Sequence, residues 1–130
     1  MRPSAAVASA SVVLLALAAC TSPSQRGEMS RQSLSSDAAE GARLADQVDR
    51  GRVSRIFARA HAQELADDVS AIEKKIADNG TTNGAELLRL ADQLDTALGT
   101  ISIHPADHAV ARRAEDTLTD LRDDLDQVGS

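Results

Sequence analysis

Apolar and polar positions divide the chain into three parts. An apolar stretch runs over 5–19, a polar and aperiodic one (TSPSQRGEMSRQSLSS) covers 21–36, and from Asp37 onward aliphatic residues recur three and four apart among charged ones. The third pattern is that of amphipathic helices, each with one buried stripe. A helix is expected over 37–49, carrying Leu44 and Val48, with Asp37 as N-cap and Glu40 completing a capping box. A second follows Gly51 and runs to the Asn79-Gly80 stop signal, with Val53, Phe57, Leu65, Val69, Ile72 and Ile76 on its apolar side. The third starts at Asn83, boxed by Glu86, and carries Leu87, Leu90, Leu94, Leu98 and Ile101, with a stop at Gly99. The fourth starts near Pro105 and carries Val110, Ala114, Leu118, Leu121, Leu125 and Val128.

No alternating run of β-branched and aromatic residues suggests a strand. The pattern therefore predicts an all-α domain over 37–130, an antiparallel bundle with coiled-coil-like spacing near 3.5. The number of helices, three or four, turns on VDRGRVS (48–54), because one internal glycine costs a helix only about 1 kcal/mol and the first two helices can fuse into one arm. An internal echo, RLADQVD at 43–49 against RLADQLD at 89–95, suggests a duplicated helical hairpin. The polar stretch before Asp37, with Pro23 and Gly27, reads as a flexible tether over 20–36.

The N-terminus opens with one positive charge, Arg2, followed by the apolar stretch and then small residues, the organisation of a cleaved secretory signal over 1–19. That stretch is shorter than the ~20 residues a helix needs to span a bilayer. Leu17-Ala18-Ala19-Cys20 resembles the lipobox of bacterial lipoproteins. The resemblance covers about the first 20 residues and implies a diacylglycerol on the Cys20 sulfur, cleavage before Cys20 and, in many bacteria, acylation of the new amine. Two or three acyl chains would hold the protein on a membrane without spanning it. The +2 residue is Thr21 and not Asp, so the periplasmic face of the outer membrane is the favoured address where the host has two membranes.

Removing residues 1–19 takes away one basic residue, Arg2, and leaves 13 basic against 20 acidic, a net charge of −7. Nucleic acid is not an expected partner for such a chain. With one cysteine there is no intramolecular disulfide, so apolar packing must hold the domain.

Candidate chemistry is sparse. Arg50, Arg52, Arg55 and Arg59 form an acid-free basic run whose last three members fall near one helical face, a candidate contact for a protein partner or lipid headgroups. The same run also fits a solvated face paired with the acidic residues of the fourth helix. His104 and His108, four apart, would supply two metal ligands if both stood on one helix, whereas a structural zinc site needs four. His61 lies on the apolar side of the second helix, as a core or boundary residue would. The chain contains no G-x-S-x-G, H-E-x-x-H or glycine-rich phosphate loop. The expectation is a non-enzymatic envelope lipoprotein with no cofactor beyond the lipid on Cys20, acting through a protein partner or self-association. The alternative is metal binding through His104 and His108.

Overall fold

A computed structural model describes residues 22–130. The expected signal over 1–19 with Leu17, Ala18 and Ala19, the expected lipidation site Cys20, and Thr21 lie outside the described residues. Four helices follow in order: α1 Pro23–Asp49, α2 Arg55–Asp78, α3 Gly84–Ile103 and α4 His108–Gln127. Each packs against its two neighbours around a square, with α1 and α3 meeting across the diagonal. Contacts of Arg31 with Asp126 and of Asp49 with His108 show α1 and α4 running antiparallel. Among the described residues the protein is an all-α antiparallel bundle with no strand.

The tether reading fails from Pro23 onward, because residues 23–36 are the first half of α1. Ser22 is the N-cap and Pro23 occupies the first turn. The Gln25 amide donates to Ser22 Oγ (3.1 Å), while the Ser22 amide donates to Gln25 Oε1 (3.0 Å). Arg31 bonds Glu28 at 2.6 Å, and its guanidinium holds the Glu28 carboxyl down to about 2. Tertiary contacts then hold the segment: Leu34 is fully buried and Ser35 donates to Asp126 at 2.6 Å. Gly27 lets α1 pass the α2–α3 turn closely, since a Cβ there would lie 2.8 Å from the Thr82 carbonyl oxygen. Asp37, expected as an N-cap, therefore lies mid-helix and buried.

α1 and α2 are separate. The chain turns over 50–54, with Gly51 at φ 65°, a left-handed conformation that glycine adopts without Cβ strain. Ser54 Oγ then caps α2 by accepting from the Phe57 amide. The buried stripe of α2 is Ala58, Ala62, Leu65, Val69, Ile72 and Ile76, with spacings of three and four. This stripe excludes Phe57, which is half exposed, so no aromatic side chain is buried among the described residues.

In α3 all five expected apolar positions are buried. The helix continues through Gly99 to Ile103, and Asn83 precedes it at φ 59° without a side-chain capping bond, so neither the glycine stop nor the capping box forms. α4 begins three residues after Pro105, with Asp107 as N-cap accepting from the Val110 amide at 3.1 Å. Its expected core positions are buried, except Val128, which is partly so. The repeated segments do not make equivalent hairpins, because Asp49 is the last residue of α1 whereas Asp95 lies in the middle of α3. No helix among the described residues is long and apolar enough to cross a membrane.

Candidate functional site

The turn between α1 and α2 and the turn between α3 and α4 lie at the same end of the bundle, as the contacts of Arg59 with Ser102 and of His108 with Asp49 show. The antiparallel order brings the N-terminal turns of α2 and α4 together there. Arg55 and Arg59 from α2 join His104, His108 and Arg112 around a groove of about 750 Å³. Ile103, 72% exposed, stands on its wall. Ile56, 83% exposed, adjoins Arg55 in the first turn of α2, so this end combines guanidinium groups with large apolar side chains in water.

The predicted arginine trio is thus only partly assembled. Arg52 sits in the turn, outside α2, because Ser54 starts the helix after it. Arg59 Nε donates to the Ser102 carbonyl at 3.4 Å. Arg112 reaches Asp49 at 3.7 Å, and Arg50 pairs with Asp46 at 2.8 Å. Arg52 and Arg55 are exposed and have no ion pair among the described residues. No member of this run forms an ion pair with the acidic part of α4 among the described residues: Arg50 and Glu115 are near enough to act on each other's charge, while the antiparallel order carries Asp126 to the far end, beside Arg31. The one acid lining the groove is Asp107, whose carboxyl is held below its ordinary value by the Val110 amide that it caps.

His104 and His108 share the groove but not a helix turn. His104 is the C-cap of α3 and His108 the first residue of α4, so the two do not stand one turn apart on a common helix as the spacing suggested. The Nδ1–H of His108 also donates to the Asp49 carbonyl at 2.7 Å. Among the described residues no group of three or more His, Cys, Asp and Glu is placed to hold a metal.

Halfway along the bundle, α1 and α2 enclose a polar cluster that the sequence pattern did not reveal. Asp37 is 8% exposed and faces α2. Burial, then a hydrogen bond and charge from Asp68, then the charge of Glu40, push its carboxyl up to about 8. Its Oδ2 meets no donor among the described residues, so at neutral pH the acid form dominates and donates its proton to Asp68. Alongside, His61 Nε2 lies 3.2 Å from Glu40, and the His61 ring stacks on Phe57 at 5.5 Å between centroids. His61 is thus a boundary residue, as its place in the pattern suggested.

A second groove, of about 350 Å³, lies between α3 and α4. Two hydroxyls along it, of Thr96 and Thr100, donate to the carbonyls of Asp92 and Thr96 in their own helix.

Fold and site together define a class: a small antiparallel helical bundle with an aliphatic core and a basic, partly apolar groove at one end. No protein family, curated protein or solved structure matches the chain.

Proposed function

We propose that this protein is a lipid-anchored adaptor of the bacterial cell envelope, attached through Cys20 and engaging a protein partner through the groove end of the bundle. The observation that carries this reading is the start of α1 at Pro23, so that only Thr21 and Ser22 separate the lipobox cysteine from a 27-residue helix. The first turn of α1 lies at the end of the bundle opposite the arginine groove, about 40 Å away at 1.5 Å per helical residue, which favours an anchor remote from the contact surface. An anchor at one end and a contact surface at the other is the layout an adaptor needs.

The experiment is crosslinking of the tagged protein in its own membrane, comparing the native chain, Cys20→Ser and the double variant Arg55→Glu/Arg59→Glu. The native protein is expected to fractionate with membranes and to form a discrete adduct. Cys20→Ser should leave the membrane fraction or accumulate unprocessed, and the double variant should stay anchored and lose the adduct. A Cys20→Ser protein that is still processed and membrane-bound rules out the anchor, whereas an adduct indifferent to charge reversal rules out the groove as contact.

A further inference from the structure

We propose that the groove between α2 and α4 is a docking site for an acidic peptide segment of a partner protein, with glutamate or aspartate side chains on Arg55, Arg59 and Arg112 and an apolar side chain against Ile103. This deepens the adaptor reading and rests on it only for the direction in which the groove faces. The first argument is charge. The whole chain has a net charge of −6, yet three guanidinium groups line this groove against the single carboxylate of Asp107. Arg112 and His108 face Asp49 at 3.7 and 3.8 Å and Asp107 keeps its charge while capping α4, but Arg55 and Arg59 have no acidic partner among the described residues, so the α2 side of the groove stays unpaired. Such a field attracts anionic groups and speeds their encounter.

The second argument is the mixture of chemistry. Arginine beside exposed aliphatic surface is the composition of protein contact hot spots, where the planar guanidinium forks a carboxylate while the apolar neighbour is desolvated. Ile103 at 72% exposure and Ile56 at 83% are the two most exposed large apolar side chains among the described residues, and both lie at this end. Shape is the third argument. The depression, about 750 Å³, is wide and shallow, so one extended segment laid across it stays within reach of Arg55, Arg59 and Ile103 together. With Cys20 anchored, the groove also faces away from the protein's own membrane.

The test uses the full-length lipidated protein in zwitterionic vesicles. It is titrated with a fluorescent synthetic peptide of glutamates interrupted by leucines, and separately with a lysine–leucine peptide of the same spacing. Saturable binding of the glutamate peptide is expected, weakening as salt is raised, with none of the lysine peptide. Reversal of Arg55 and Arg59 to Glu should weaken binding at least about tenfold, the equivalent of about 1.4 kcal/mol. Ile103→Ser should weaken it by a smaller, measurable factor. These side chains are exposed, and unchanged helicity and melting of the variants verify that the fold is intact.

Three results overturn the proposal: peptide binding indifferent to the reversals, adsorption to anionic vesicles through the same arginines with no peptide binding, or dimerisation that the reversals abolish without peptide binding. The second result reassigns the groove to lipid and the third to another copy of the chain. Failure of the anchor is separate, because it appears as membrane retention of Cys20→Ser whatever the peptide does.

Discussion

Asp37 shows how much a single side chain depends on what the fold places around it. As the first residue of a helix it would be an exposed, ionised cap; in the middle of α1, facing Asp68, it is a buried acid that holds its proton up to about pH 8. Burying it charged would cost several kcal/mol. The sign follows from the two states: the unfolded carboxyl releases its proton near its ordinary 3.8 and the folded one near 8, so folding takes up a proton between them. Its contribution to stability is complete below about pH 4 and is lost as pH rises through 8. Glu28, held down to about 2, acts only below its ordinary 4.5 and so leaves the range above that to Asp37. Glu73 and Glu115, both raised first by burial and then by neighbouring carboxylates, act in the same direction as Asp37. The melting temperature is therefore expected to fall from about pH 5 to about pH 8. Asp37→Asn, which keeps a donor toward Asp68 without needing a proton, should flatten most of that slope and melt higher at the alkaline end. Thermal circular dichroism across this range checks it; parallel profiles for the two proteins would refute the assignment.

Among the elements, α1 departs furthest from the sequence reading. Its second half carries the expected Leu44 and Val48, but its first half offers only Met29 and Leu34 as large apolar residues, and Met29 is 63% exposed. Too few stripe positions remain to signal a helix, and serine and glycine lower its intrinsic propensity. The capping signal was nevertheless present: serine, proline at the first position and glutamine three residues after the serine. Leu34→Ala tests whether this half belongs to the core. A fully buried leucine should cost about 2–5 kcal/mol on truncation. Urea unfolding measures it, and a loss near zero would mean that the segment does not pack. α3 and α4 behaved differently because each repeats leucine through several turns, and that repetition is visible without knowing the partner helices. Phe57 misled for a related reason: one aromatic at the edge of a stripe reads as core, yet Ala58 and Ala62 take the inward positions and leave the ring to stack on His61.

For the whole molecule, the bundle order matters more than any one helix. Four antiparallel segments put the turns before α2 and α4 at one end, which gathers arginines and histidines from two distant stretches of the chain. The same order sends the first turn of α1 to the other end. Anchored through Cys20 as proposed, the protein should therefore stand on an anionic bilayer, its net negative charge disfavouring a flat orientation. Neutron reflectometry on a supported bilayer should find a protein layer extending about 40 Å from the headgroups, the length of α1, rather than the roughly 20 Å of a bundle lying on its side. The thinner layer would show that the groove does not face outward.

The helical class, the leucine stripes of α3 and α4 and the separation of basic from acidic runs were all legible before any folding, because periodicity and charge are written into neighbouring residues. The lipobox resemblance belongs to the same local kind of information. That residues 23–36 are helical became clear only in the packed bundle, since part of what holds them is contact with Asp126, 95 positions from Arg31. The same holds for Asp37 as a buried acid, for Arg52 standing apart from Arg55 and Arg59, and for His104 and His108 falling outside a common helix. Each of these depends on where helices end and which one lies opposite, and side chains distant in sequence meet only when the bundle closes.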